Sequence, residues 1–536
     1  MPNDIYTSYA LALGSGLVAG LVATPIVRWL ARRWNFVDKP DGDRKHQSSA
    51  VALGGGIAVY VAMLSAIAVT FAYARGQDID LLNFNANTAD RPIFLALLVA
   101  STLTVLLGLF DDKFGLRGRY KLLCQVAIAG ILVYSGLSID HFGFMGAKVV
   151  LPGWLSAPVT LVWLLVTINA INLIDGIDGL ASSIGAVLCL TVAAITAMLG
   201  YHAEAFIVLA LAGAQLGFLR YNFAPASIYL GDTGSMLIGL VVGVIATHTS
   251  VKSPAAIAMA VPFALWSIPI LDSSAAILRR KLTGRSLFAP DRGHLHHSLL
   301  TRGWTVRQAS MFITLICATT CLSAVLSLMW GSELIALLIV AAVVLFLVST
   351  RTFGHIELEL LKHRVRDSTS SFSSPAGDAS QGQHSAVQLQ GSRQWDKLWA
   401  ALVEAAPLHR LVQMKLAINI PVLHEAYFAK WKTPNSAAGS TDLTWSIVHP
   451  LVLDGQKVGH LELLGNSDIE RASTPAQLIQ VLDFLEPIEE DIRRIREQLE
   501  HDHEALSGKS VLTPAFSSAA GESVDAVSAP AGGVTG

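Results

Sequence analysis

Two adjacent carboxylates, Asp111 and Asp112, close the apolar run Gly108-Leu109-Phe110-Asp111-Asp112-Lys113. Neighbouring side chains on a helix point to different faces, so the pair splits its duties: one accepts a proton or contacts a metal, and the other anchors the loop. The plainer alternative is an acidic helix end solvated beside basic residues, disfavoured by the cost of acids in an apolar setting. Lys121 opens the next apolar run, where a cation suits a phosphate; its alternative is snorkelling to a polar boundary.

The densest signal is Asn169-Ala170-Ile171-Asn172-Leu173-Ile174-Asp175-Gly176-Ile177-Asp178-Gly179-Leu180-Ala181. Polar side chains recur every third residue and line one helical surface, while Gly176 and Gly179 allow backbone turning and close ligand approach. Hard oxygen donors of this kind suit magnesium, which takes one or two carboxylates and keeps waters and substrate phosphates as its other ligands. A capping turn is the bland reading. A second acidic turn, Tyr229-Leu230-Gly231-Asp232-Thr233-Gly234-Ser235, offers Asp232 as a metal ligand and a helix N-terminus as phosphate donor, although Asp232 also makes sense as a helix cap. In Pro290-Asp291-Arg292-Gly293-His294-Leu295-His296-His297, three imidazoles can bind a transition metal or contact phosphate. Neither cysteines nor a His-Glu-x-x-His frame accompanies them, which favours phosphate. Lys45, His46 and Gly54-Gly55-Gly56 can complete the site; tight helix packing explains the glycines equally well.

The elements that must position these residues are read from composition. Of 536 residues, 52% are apolar and 15% charged, and the mean hydropathy is +0.52. Such a chain belongs to the membrane class. A net charge of -2 averages over loops and spans, and no nucleic-acid partner is expected. Cys124, Cys189, Cys317 and Cys321 lie in apolar runs without zinc or disulfide spacing, as lipid-facing or core residues. The first apolar run has neither a basic leader nor a cleavage site, so it reads as a retained span. About eleven segments are long and apolar enough to span a bilayer core of roughly 30 Å: 6–30, 50–73, 92–110, 120–137, 154–172, 184–200, 203–220, 232–249, 255–278, 309–330 and 333–350. Basic residues orient the stack. Arg28, Arg32, Arg33, Lys39, Arg44 and Lys45 follow the first span, and alternate loops then hold Lys113, Arg117, Arg119, Arg220, Arg279, Arg280, Lys281, Arg285 and Arg292 on the same, cytoplasmic side, against Arg75, Arg91, Lys148 and Lys252 outside.

The five polar motifs all fall on that cytoplasmic side, which is the expectation for an active site assembled from helix ends. A transporter is the rival from another class, but transport sites lie near the midplane and often in internal repeats, and neither pattern is present here. A non-catalytic sensor built on a decayed enzyme is the third reading, set against the intact acids.

Together, these residues resemble the polyprenyl-phosphate N-acetylhexosamine-1-phosphate transferases, glycosyltransferase family 4, over roughly residues 20–305 and in the right order. Asp175-Gly176-Ile177-Asp178-Gly179-Leu180-Ala181 and Gly293-His294-Leu295-His296-His297 look like the branch that uses UDP-N-acetylglucosamine. The peptidoglycan branch, with contiguous histidines, looks less similar. The resemblance implies an all-α polytopic enzyme of the inner membrane that takes a UDP-N-acetylhexosamine and undecaprenyl phosphate and releases UMP. It implies that Asn172 and Asp232 hold Mg2+, or Mn2+ in its place, against the diphosphate. Lys121, Lys45, His294, His296 and His297 then contact phosphate, and Asp178 and Tyr229 line a uracil pocket. Asp111 is the candidate base, with Asp112 and Asp175 supporting the same cavity as catalytic residues. A homodimer is compatible with this reading.

Past the last span, a polar helix near 355–366 and a Ser-rich linker from Asp367 to Ser392 lead into a C-terminal cytoplasmic α+β module over 394–504. Strands are expected at Lys415–Pro421, Trp445–Leu453 and Lys457–Leu464, with a hairpin turn at Asp454-Gly455. A charged helix is expected over Gln477–Leu499, and a disordered tail from Ala505. The module carries no catalytic constellation, and a regulatory or cytoplasmic-partner-binding role is the expectation.

Overall fold

A computed structural model describes residues 2–38, 50–76, 91–144, 147–252, 260–282, 293–362, 383–390, 394–407, 411–420, 425–433, 444–453, 456–466 and 490–499. Lys45, His46, Asp291, Arg292, the Asp454-Gly455 turn, most of the Ser-rich segment and the tail from Ala505 lie outside the described residues. The chain divides into two compact units, the first essentially Met1–Gln381 and the second built mainly from Gly391–Glu425 and Ala429–Gly536.

In the first unit each of the eleven apolar segments becomes a helix. They are α1 (Pro2–Arg33), α2 (Gly55–Gly76), α3 (Arg91–Phe114), α4 (Gly118–Tyr134), α5 (Gly153–Ile174), α6 (Leu180–Met198), α7 (His202–Asn222), α8 (Gly231–Lys252), α9 (Ala260–Leu282), α11 (Val306–Trp330) and α12 (Glu333–Ser349), with a short α10 (Leu295–Thr301) before α11. Among the described residues, eight of them, α1 to α3, α5 to α8 and α11, are long and apolar enough to cross a membrane. Of the three others, α4 and α12 have 17 residues each, and α9 carries Asp272 within it and ends in Arg279-Arg280-Lys281. Helix α13 covers 355–362.

The core is centred on α8, which is buried along nearly its whole length and packs against α2, α3, α5 and α6. Glycines set these distances. A Cβ at Gly108 of α3 would lie 2.4 Å from Thr233 Cα, and one at Gly239 of α8 would lie 2.5 Å from the Thr167 carbonyl of α5. The α1 and α7 helices meet through two small-residue pairs, Gly16 and Gly20 against Gly213 and Gly217. Each would drive a Cβ to within 2.6 Å of backbone on the other helix. This is how apolar helices associate where lipid removes the hydrophobic drive and close backbone contact replaces it. Gly55 and Gly56 serve the same end: a Cβ would collide with Phe218 and the Tyr229 carbonyl, or with the backbone at Gly234. Tight packing, one of the two readings of that glycine run, is present at both positions. Cys124 is exposed, whereas Cys189, Cys317 and Cys321 are buried and free.

Two short hairpins complete the unit. Strand β1 (Val37–Asp38) pairs with β2 (Val51–Ala52), and β3 (His141–Phe144) pairs with β4 (Ala147–Val150). The β2 strand continues into the site: Tyr229 N–H donates to the Ala52 carbonyl, and Gly55 and Gly56 N–H donate to the Tyr229 and Leu230 carbonyls. Residues 52–56 thereby splint the turn that starts α8.

The C-terminal unit is α+β. It holds α14 (Gln394–Ala405) and strands β5 (Gln383–Gln390), β6 (Leu411–Ile420), β7 (Glu425–Lys432), β8 (Thr444–Leu453) and β9 (Gln456–Asn466), with sheet order β5-β7-β6-β9-β8. Strands β8 and β9 pair antiparallel from Thr444 opposite Asn466 to Leu453 opposite Gln456. Pro450 is accommodated because β8 is an edge strand. On α14, the buried Trp395 donates its indole N–H to Glu425 at 2.7 Å. Helix α15 covers 490–499. Two strands depart from the sequence reading. Gln383–Gln390, assigned by composition to the Ser-rich linker, is β5, because a short alternation of Val387 and Leu389 with glutamines sits inside a low-complexity stretch. Glu425–Lys432 is an additional strand, β7.

Candidate active site

The motifs on α3, α4, α5 and α8 converge. Lys121, in the first turn of α4, is the hub: its Nζ lies 2.5 Å from Asp232 Oδ2, 2.9 Å from Asp111 Oδ2 and 3.0 Å from Asn172 Oδ1. Asn172, in the last turn of α5, donates its amide to Asp232 Oδ1 at 2.7 Å and to Ser235 Oγ at 3.0 Å. Three helices, α3, α5 and α8, thus deliver oxygens to one point, and a fourth, α4, brings the Lys121 ammonium among them. The Lys121 side chain is mostly buried, so the snorkelling alternative does not describe it.

The two adjacent acids of α3 do split their duties. Asp111 turns toward Lys121, and its other oxygen accepts the Leu116 backbone N–H at 2.7 Å. Asp112 grips the start of α8, accepting from Asp232 N at 2.8 Å, Thr233 N at 3.3 Å and Thr233 Oγ1 at 2.6 Å. This satisfies N–H groups that a helix start leaves without partners. Gly231, at φ 71°, is required here, since a Cβ would fall 2.6 Å from the Asp112 carboxylate.

Asp175 caps the end of α5 with ψ 53° and has no hydrogen-bond partner among the described residues. Burial, together with the charges of Asp232, Asp112 and Asp178, pushes its carboxyl well above the usual range. Asp178 accepts the Ala226 N–H at 2.9 Å; burial raises it, against the pull of that bond. The Tyr229 hydroxyl is buried and has no hydrogen-bond partner among the described residues, and burial and the Asp178 charge raise the phenol. Asp178 and Tyr229 therefore lie near each other, within reach of one another's charge.

The histidines meet the cluster from the other side. His294 Nδ1 lies 2.8 Å from Asp272 of α9. Its ring stacks on that of His296, with centroids 5.7 Å apart and planes at 4°. His296 lies against Gly176, where a Cβ would be 2.3 Å from its Nε2. Both ring nitrogens of His296 are buried and have no hydrogen-bond partner among the described residues, and burial lowers its pKa to about 3. His297 packs its ring on His296 at 4.3 Å. Every catalytic, metal, phosphate and uridine residue read from the sequence falls in this cluster or beside it, except Lys45, which with His46 lies outside the described residues. Asp272, Thr233 and Ser235 escaped that reading as individual positions. Asp272 alone left a signal, as an acid within an apolar segment.

Among the described residues, no group of three or more His, Cys, Asp or Glu is arranged to hold a metal by itself. The donor set does fit a hard divalent cation that takes Asp232 and Asn172 oxygens and completes its shell with water and substrate phosphate. Among the described residues Asp111 and Asp232 share Lys121, and the charges of Asp232 and Asp112 reach Asp175, so acids outnumber this cation and a divalent ion would offset them.

Fold and site define a polytopic helical membrane protein with a cluster of acidic and polar side chains, gathered around Lys121, at the ends of its helices. The sequence model of Glycosyl transferase family 4 matches residues 94–250. The chain is 31% identical over 302 residues to a probable undecaprenyl-phosphate N-acetylglucosaminyl 1-phosphate transferase of Bacillus subtilis, covering 56% of this chain and 79% of that protein. It is 33% identical over 370 residues to a decaprenyl-phosphate N-acetylglucosaminephosphotransferase of Mycobacterium tuberculosis, covering 62% and 87%. To the undecaprenyl-phosphate alpha-N-acetylglucosaminyl 1-phosphate transferase of Escherichia coli K12 it is 29% identical over 300 residues, covering 54% and 76%. This chain belongs to glycosyl transferase family 4.

Proposed function

We propose that the chain transfers N-acetylglucosamine 1-phosphate from UDP-N-acetylglucosamine to undecaprenyl phosphate, releasing UMP and leaving a lipid-linked diphosphate sugar. The observation that carries this is the convergence of Asp111, Lys121, Asn172 and Asp232 on one point, in a family whose relatives bear transferase names of this kind. A transporter is disfavoured because the acids sit at helix ends rather than at mid-helix depth.

Phosphoryl transfer needs charge neutralisation and in-line positioning more than covalent protein chemistry. An acceptor phosphate oxygen attacks the sugar-linked phosphorus of the UDP-sugar. The bond from that phosphorus to the bridging oxygen breaks, and UMP leaves with the bond's electron pair. Lys121 neutralises charge on the transferring phosphoryl oxygens, and Asp111 takes a proton from an acceptor that enters protonated. Asp178 and Tyr229 receive the uracil, and His294, His296 and His297 contact phosphate. Magnesium, held by Asn172 and Asp232, would polarise the diphosphate. Asp112 is fully engaged at α8 and Asp111 is tied to Leu116 and Lys121, which favours direct displacement over a phosphoryl-enzyme on either carboxylate.

The chain is read as crossing the inner membrane eleven times with site and C-terminus cytoplasmic, following its loop charges. The C-terminal unit is read as a seat for a regulatory partner. The test of the activity is UMP release by purified protein from UDP-N-acetylglucosamine and undecaprenyl phosphate, beside Asp232→Ala and with chelator. Lipid-dependent release that needs magnesium and disappears in the variant is expected. No turnover with any UDP-N-acetylhexosamine would refute the assignment.

A further inference from the structure

Asp272 lies on α9, outside every motif and outside residues 94–250 that the family model matches. It is buried to 1% relative exposure, and both its oxygens are committed to the histidine segment. Oδ2 lies 2.8 Å from His294 Nδ1, and Oδ1 accepts the Leu295 backbone N–H at 2.7 Å. A carboxylate only accepts, so Nδ1 of His294 must be the donor and carries the proton. Nε2 then becomes the working nitrogen, with no protein partner among the described residues. The second bond fixes where that nitrogen stands. By holding Leu295 N–H, Asp272 satisfies a donor at the start of α10, whose N-cap is His294 and whose own side chains supply no cap. The stacked ring of His296 then carries the arrangement to Gly176, beside Asp175.

We infer that Asp272 is a positioning residue for the transfer reaction: it fixes the tautomer and place of His294 so that Nε2 is presented to substrate phosphate. This rests on the proposed function. Asp272 acts entirely through His294 and does not itself touch substrate.

Asp272→Asn separates this role from packing, because the amide is nearly isosteric. Its single acceptor oxygen cannot serve both donors. If that oxygen keeps Leu295 N–H, the NH2 group faces His294 Nδ1 and moves the ring proton to Nε2. Loss of the correct tautomer in a comparable Asp-His arrangement is costly, so kcat is expected to fall by tenfold or more, roughly. KM for UDP-N-acetylglucosamine should change by less than about threefold. His294→Gln and the double variant complete a cycle. Action through His294 predicts that the double variant is no slower than His294→Gln alone. Losses that multiply, or an Asp272→Asn enzyme with wild-type kcat, overturn the inference. Asp272→Ser, which keeps an acceptor for Leu295 N–H without the charge, serves if Asp272→Asn lowers the yield of folded protein. A wild-type chain without turnover would sink the proposed function instead. The ring tautomer of His294, read from its 15N chemical shifts, then decides the present inference. The proton is expected on Nδ1 in the wild type and on Nε2 in Asp272→Asn, and a wild-type ring protonated at Nε2 alone, or an unchanged tautomer in Asp272→Asn, overturns the claim.

Discussion

Replacing Asp112 by asparagine tests the idea that one acid of the pair is an anchor. The wild-type carboxylate accepts three hydrogen bonds from the first turn of α8, and the longest, at 3.3 Å, is the weakest. An amide keeps one acceptor atom and turns an NH2 group toward the remaining donors. Hydrogen bonds to a charged acceptor are worth about 1.5–3 kcal/mol each; losing the charge and one strong bond at a half-buried site therefore costs about 3 kcal/mol. The same turn carries Asp232, 2.5 Å from Lys121, so the loss appears as displacement of a reacting-site ligand. At 1.36 kcal/mol per tenfold, kcat falls about 10²-fold. Initial rates of UMP release, with Tm in detergent as the control, measure it. Asp112→Glu does not rescue, because the carboxylate already stands 2.6 Å from where a Cβ on Gly231 would be. An Asp112→Asn enzyme with kcat within a factor of two or so of wild type would refute the reasoning.

Gly217→Leu should lower Tm, because its Cβ would lie 2.4 Å from the Leu17 carbonyl and overpacking costs about 1–3 kcal/mol. Gly14→Leu, with nothing within 4 Å of its Cβ, is the neutral control. His296 is held neutral down to about pH 3, whereas an unfolded histidine binds a proton near 6.5. The unfolded state thus takes up more protons on acidification, and stability present above pH 6.5 is lost as pH falls, by about 2 kcal/mol at pH 5. His296→Gln should flatten that acid dependence of Tm; an unchanged slope would show that His296 does not carry it.

The helices were legible because each apolar run had to bury or span, and the site was legible because acids at the ends of such runs have few structural excuses. Asn172 and Asp232 sit 60 residues apart in sequence, yet both had to end on one side once the loop charges were counted. The cross-ties were harder to read. Nothing in Asp112 announces that its partner is the backbone of α8, 120 residues on, and Asp272 has no motif around it. Backbone N–H groups carry no sequence signature, so an acid that binds them looks like any other acid. The five-stranded sheet was only partly visible for a related reason: β5 is a brief alternation set in a Ser- and Gln-rich stretch, and composition outweighed period.

The glycine faces of α1 and α7 also set a timetable. Gly20 is made 193 residues before Gly213, and at about 5–20 residues per second the interval is roughly 10–40 s. Throughout it, the first helix is already threaded into the bilayer while the surface that will seat it has yet to be synthesised. Its notch, shaped for another backbone and too shallow for a side chain, meets lipid or an attendant of the insertion machinery in the meantime. Assembly of this protein therefore closes late, when the seventh helix arrives and the oldest part of the chain finds its place.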